Sequence, residues 1–230
     1  MLVIPIVLAG ALVLLWAGRT VGRNTSWLGS AWVGRNLRYQ PIALATAVLA
    51  VLATRSLVPG HADFLAVGDW GAPASGLAWL GVAPGDPWTT VGWTFLVIMT
   101  LVTGVVVWLQ VARGAGISLS GLVRALPLAL AFSVVNAVGE ELLFRLTVAE
   151  ALAPVVATGV VAGVSATLFG IPHWFGTPGR VPGMLLAAFM GWLLAFAVVQ
   201  TQGMGWAIAI HVVQDVVIIT LLIARDWSRP

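Results

Sequence analysis

The stretch NAVGEELLFRLTV, residues 136–148, decides how this chain is read. It sets Glu140, Glu141 and Arg145 close together in a run dominated by Leu, Val, Ala and Phe. The 230-residue chain around it is 60% hydrophobic and only 8% charged, whereas a soluble domain carries about 25% charged residues. A charged side chain at mid-bilayer costs at least ~2.5–3.5 kcal/mol on insertion scales, so one found there faces a bundle interior or a wet cavity. Three of them in one apolar segment need a reason.

Working outward, apolar runs near twenty residues recur along the whole length, each long enough to cross a hydrocarbon core of about 30 Å. The expected fold is all-α: a polytopic transmembrane helix bundle of about seven spans, near 1–17, 41–58, 91–111, 125–149, 153–175, 183–200 and 204–224. The first run has the greasiness of a signal peptide, but nothing basic precedes it. The longest polar interval, 59–90, is rich in Gly, Pro and Ala and reads as loop with interfacial pieces. The chain divides into N-terminal helices and loops, 1–119, and a core, 120–230, that carries the ionisable motifs. No internal repeat stands out.

Cysteine is absent, which excludes disulfides, thiolate metal sites and a cysteine nucleophile. The net charge of +3 comes from Arg alone, and the arginines are spread over loops rather than gathered on a face, so no nucleic-acid partner is expected. They read as topology signals. Arg19, Arg23, Arg35 and Arg38 fall between spans one and two, Arg113 and Arg124 between three and four, Arg180 between five and six, and Arg225 and Arg229 after seven. The alternate loops carry His61, Asp63, Asp69, Asp86 and Glu150. The positive-inside rule then places the protein in a cell membrane, of bacterial type by its usage, with the N-terminus outside and the C-terminus in the cytoplasm. Arg55 is left to snorkel or to pair with an acid. Trp16, Trp88, Trp93, Trp108, Trp206 and Trp227 lie near span ends and are expected to anchor at the headgroups.

Two further segments carry ionisable groups into apolar surroundings: TLFGIPHWFG, with Phe169 and His173, and GWAIAIHVVQDVV, with His211 and Asp215. Helical spacing places Glu141 and Arg145 on one face as an i,i+4 pair and turns Glu140 about 100° away. His211 and Asp215 share a stripe in the same way, as do Phe169 and His173. The plain reading of Glu141–Arg145 is a buried ion pair that locks helices, and that of a lone His is an interhelical hydrogen bond. Their gathering on three late spans favours a functional site. Straight spans leave His173 as much as about 10 Å off in depth at 1.5 Å per residue, so convergence is an expectation to be tested.

Carboxylates and imidazoles around a wet cavity suit the activation of water. A buried Glu beside a second carboxylate makes a general base, an imidazole can shuttle its proton, and groups on another helix can meet a developing oxyanion. Amide hydrolysis inside the membrane fits this inventory. So does a divalent metal such as zinc held by His173, His211, Glu140 and Asp215, although no HExxH motif is present.

The order EELLFR from Glu140, FGIPH from Phe169 and HVVQD from His211 resembles the CAAX protease and bacteriocin-processing (CPBP) family of intramembrane proteases over roughly residues 120–225. The resemblance implies an endopeptidase acting on a membrane-associated, prenylated or other peptide substrate. It implies that Glu140 is the general base and works with His173 to activate water, that His211 and Asp215 line the oxyanion side, and that Glu141 with Arg145 holds the helices. Both a metalloprotease and a metal-free glutamate mechanism have been held for the family; the metal-free one, with no cofactor, is preferred here. Two positions depart from the family pattern: Asp215 where Asn is frequent, and Leu146 where Gly is common. The alternatives are a non-proteolytic membrane scaffold of the same family and a proton-coupled transporter. The expected partners are the lipid bilayer and a peptide or protein substrate.

Overall fold

The computed structural model describes residues 2–21 and 26–228. Arg23 and Arg229, two of the topology arginines, lie outside the described residues. The described chain is all helix and loop, with isolated bridges such as Leu77–Val82 and no β-strand. Its α-helices are α1 (Val3–Thr20), α2 (Ala31–Leu57), α3 (Trp88–Val107), α4 (Leu119–Glu141), α5 (Thr147–Leu152), α6 (Thr158–Gly170), α7 (Arg180–Thr201) and α8 (Gly205–Trp227). Helix is the form expected here, because lipid offers no partner for an unpaired backbone N–H or C=O.

Six helices among the described residues are long and apolar enough to cross a membrane, against the seven spans expected. The difference is α6, whose 13 residues stop at Gly170 and continue as a tight 3-10 turn, Ile171–Phe175. Together they cover roughly 30 Å at the rises of the two helix types. Pro172 ends the regular helix because it supplies no N–H and clashes with the preceding turn.

Boundaries moved where capping and packing overrode hydropathy. α2 starts at Ala31, not near 41, because Ser30 Oγ accepts the Val33 N–H at 3.1 Å while Asp226 accepts the Trp32 N–H at 2.9 Å. Arg35 and Arg38, expected in a loop, therefore ride on the first turns of α2. α4 starts at Leu119 under its Ser118 cap and runs on through a π-helical turn, Leu142–Leu146, into α5, so that Leu119–Leu152 is one continuous 34-residue span. Thr147 Oγ1 donates to the Leu142 carbonyl five residues back, and Ser165 Oγ of α6 donates to the Phe144 carbonyl, both at 2.9 Å. The widened turn thus has its loosened carbonyls met by side chains, one of them from another helix. Such turns recur at functional sites.

α4 packs most extensively on α8 and α6 on α7. The α6–α7 approach depends on small residues: a Cβ on Gly170 would come within 2.6 Å of Ala188 Cβ. Without a hydrophobic drive between helices in lipid, such close contact is what associates them.

The interval 59–90, read as loop with interfacial pieces, is loop only up to the start of α3 at Trp88, and that loop folds over the α7–α8 turn. The Met204 and Gly205 N–H groups donate to Ala66 and Val67 carbonyls at 2.8 and 2.9 Å, and Asp69 N–H donates to Thr201 at 2.7 Å. This roof overturns two of the expected headgroup anchors. Trp88 is fully buried and donates to Gln200 Oε1 at 2.9 Å; Trp206 is buried and donates to the Trp70 carbonyl at 3.1 Å. Their indole N–H groups are satisfied inside the protein, so they need no headgroup water. Trp16, Trp93 and Trp108 remain exposed, and Trp227 is half-buried beneath Arg124.

At the same end, Glu150 is not a loop residue. It is fully buried in α5, paired with Arg55, whose Nε donates to Glu150 Oε2 at 3.0 Å and whose terminal nitrogen reaches Asp63 at 2.7 Å. Arg55 therefore pairs with acids from two other segments.

Candidate active site

The ionisable groups singled out in the sequence do converge. Glu140, His173, His211 and Asp215 line one cavity of about 270 Å³. The depth mismatch expected of straight spans does not arise. His173, carried on the 3-10 turn that follows α6, lines the same cavity as Glu140, whose Oε2 lies 3.5 Å from His211 Nε2.

The two adjacent carboxylates have different surroundings. Glu141 is fully buried; its Oε1 accepts from His211 Nδ1 at 2.6 Å and its Oε2 lies 3.2 Å from Arg145 Nε. The expected i,i+4 pair with Arg145 is present, but Glu141 also holds an imidazole on α8. The Arg145 N–H groups are not aimed at the carboxylate, and none of the guanidinium nitrogens has a hydrogen-bond partner among the described residues. Arg145 instead sits over the ring of Phe169, its Cζ 3.8 Å from the centroid, a cation–π contact worth about 2 kcal/mol when desolvated. Glu140 keeps about 15% side-chain exposure, faces the cavity, and has no hydrogen bond on its Oε2. That oxygen is buried 3.5 Å from His211 Nε2, and Glu141 Oε2 likewise makes no hydrogen bond.

The imidazoles are held just as differently. His173 sits in the 3-10 turn, where its Nδ1–H donates to the Phe169 carbonyl at 2.7 Å. A carbonyl can only accept, so this bond sets the tautomer and leaves Nε2 with the lone pair. His211 has carboxylate oxygens around both ring nitrogens: Glu141 at Nδ1, and at Nε2 Glu140 Oε2 at 3.5 Å and Asp215 Oδ1 at 3.8 Å. Phe169 is fully buried between the two rings, 4.3 Å from His173 and 5.7 Å from His211 between centroids. It spaces them and carries Arg145 on its face.

The cavity also draws on residues that the sequence reading passed over. Asn136 donates to Asp215 Oδ2 at 3.0 Å and accepts from Gln40 of α2 at 3.2 Å. Tyr39, also on α2, lines the cavity beside Gln40, and Gln214 of α8 meets the Thr100 hydroxyl of α3 at 2.9 Å. Asn136 had a signal in the opening stretch, since it lies one turn before Glu140 on the same face. Gln40, Tyr39 and Gln214 are common residue types whose importance rests on contacts far along the chain. From His211 the cavity continues along α8 past Ile218 to Leu222 and along α2 to Trp32, toward the arginine-rich end of the bundle. A second cavity of about 230 Å³ adjoins it, shares Glu140 and His173, and is walled by Leu14, Leu15 and Gly18 of α1.

For a metal the residues do not fit. Among the described residues no group of three or more His, Asp or Glu side chains is gathered so that it could hold an ion. The four expected ligands are thus not gathered as a metal cage among the described residues, and a metalloprotease reading gains no support.

No curated protein and no solved structure matched the chain. Residues 121–217 match the family model described as Rce1-like, type II CAAX prenyl endopeptidase. The matched region runs from the first turns of α4 to the middle of α8 and contains every motif residue named above. With six long apolar helices around that region, the protein is a multi-pass membrane protein, and the match supports its assignment to the CPBP/CAAX protease family and a protease activity.

Proposed function

We propose that the protein is an intramembrane endopeptidase in which Glu140, with His173, activates the water that attacks a peptide bond. The observation that carries this is the contrast between the two adjacent carboxylates: Glu141 is fully buried, outside the cavity lining and bonded to His211 Nδ1, while Glu140 stays partly exposed and lines the cavity together with His173. Glu140 takes the proton from water as general base, and the Nε2 lone pair of His173 helps hold that water. His211, with Asp215 behind it, faces the carbonyl oxygen. Its Nδ1–H is anchored by Glu141, and as an imidazolium among carboxylates it presents Nε2–H on the cavity side to meet negative charge as the tetrahedral intermediate forms. Collapse of that intermediate returns the proton from Glu140 to the leaving amine. Arg145 offsets the Glu141 charge and, through Phe169, fixes the distance between the two imidazoles.

The substrate is a peptide bond in a membrane-associated or prenylated chain. It reaches the site from the arginine-rich end, which is cytoplasmic if the charge bias sets orientation. Cleavage of a fluorogenic peptide panel by the purified protein in detergent tests the reading. Loss of cleavage in Glu140→Ala and in His173→Ala, with wild-type activity surviving a chelator, is the expected result. Activity that a chelator removes and one divalent ion restores would overturn the metal-free route.

A further inference from the structure

Asn136 plays no part in the chemistry above, yet it is bonded on both sides within the cavity. Its Oδ1 accepts from Gln40 Nε2 at 3.2 Å and its Nδ2 donates to Asp215 Oδ2 at 3.0 Å. An Asn amide is two-ended, with oxygen only accepting and nitrogen only donating. The Asp215 carboxylate, which accepts, takes the nitrogen, and Gln40 Nε2 meets the oxygen left on the other side. With Oδ2 held, the remaining oxygen of Asp215 is left toward His211 Nε2, 3.8 Å away. Gln40 is buried on α2, Asn136 half-buried on α4 and Asp215 buried on α8, so the chain of contacts ties three helices together at the level of Glu140.

The geometry points to Asn136, steadied by Gln40, as the positioning residue for Asp215 and through it for the His211 side of the site. It touches neither Glu140 nor His173 by any hydrogen bond, so it acts through Asp215 rather than on substrate. The Asn136–Asp215 pair presents one amide and one carboxylate across α4 and α8. What matters is that complementarity rather than which position carries which group. The inference about catalysis rests on the protease reading; the pairing itself does not.

The experiment compares wild type, Asn136→Asp, Asn136→Ala and the exchange variant Asn136→Asp/Asp215→Asn, all purified in detergent and checked for monodisperse elution. Asn136→Asp sets two carboxylates against each other and should lower kcat on the order of 10- to 100-fold with KM little changed, as for a misaligned catalytic group. The exchange variant restores a donor–acceptor pair and should recover most of that loss. The second readout needs no substrate: the imidazole nitrogen resonances of His211, assigned against His61 and His173 by single replacements, should move in Asn136→Ala and Asn136→Asp. They should return toward wild type on exchange. An exchange variant no better than Asn136→Asp in both readouts, or His211 resonances unmoved in Asn136→Ala, overturns the inference. If Asn136→Asp fails to fold, Asn136→Ala and the exchange variant carry the resonance test. A wild type that cleaves no peptide would sink the protease reading, and the nitrogen resonances would still decide the pairing.

Discussion

At the scale of single residues the site is a lesson in how two identical side chains, adjacent in sequence, take different work. A helix turns them about 100° apart, and what each meets is decided by its neighbours. Glu140→Gln keeps the shape and removes the base. It should lower cleavage on the order of 10²–10⁴-fold with thermal unfolding in detergent unchanged, and a variant that retains wild-type kcat would remove Glu140 from the mechanism. Arg145→Met acts on stability instead. It leaves Glu141 buried without its cation, which costs about 3–5 kcal/mol and shows as a lower unfolding midpoint even without substrate.

At the scale of elements, two packing arrangements position the site. The π-helical turn after Glu141 has its Phe144 carbonyl met by Ser165. Ser165→Ala strips that buried carbonyl of its donor, so about 1–3 kcal/mol of stability should be lost, read by unfolding of the purified protein. The start of α8 is held by Trp206 lying against Gly92 of α3, where an added Cβ would fall 2.4 Å from the ring. A rigid indole fixed by its bond to the Trp70 carbonyl cannot yield cheaply. Gly92→Ala should therefore destabilise by about 1–3 kcal/mol, and because α8 carries His211 it should also lower kcat. Neutral behaviour in both measurements would mean that the α3–α8 contact is not what sets the height of that helix.

At the scale of the whole molecule the bundle is tied at the end away from the arginine-rich loops. Arg55 of α2 joins buried Glu150 of α5 and Asp63 of the roofing segment. Arg55→Met leaves Glu150 uncompensated inside the protein and should cost about 3–5 kcal/mol. The Leu65 N–H, and after it the Arg55 guanidinium, hold the Asp63 carboxyl below its ordinary value of 3.8. A depressed carboxyl contributes stability that is present above the unfolded value and lost as pH falls through the folded one. Asp63→Asn should accordingly make the acid limb of a stability–pH curve shallower. The absence of cysteine makes topology directly testable. A single Cys at Ala78 should react with a membrane-impermeant thiol reagent in intact cells, and one at Ser120 only after permeabilisation; the reverse would invert the orientation inferred from charge.

Residue types and local spacing determined a good deal by themselves. A chain this apolar, with almost no charge, must satisfy its backbone within each segment, which yields helices long enough to cross a bilayer. The i,i+4 contacts, Glu141 with Arg145 and Phe169 with His173, were legible because a helix carries its own ruler. Tertiary structure alone decided that Glu141 is spent on His211, 70 residues away, and that Asp215 is met by Asn136, which Gln40 bonds in turn. It likewise decided that Trp88, Trp206 and Glu150 belong to the interior rather than to the membrane surface. None of these partners lies within a helical turn of the residue it serves. Hydropathy and periodicity report what one helix does with its own faces, whereas the division of roles between Glu140 and Glu141 depends on which groups other helices bring to them.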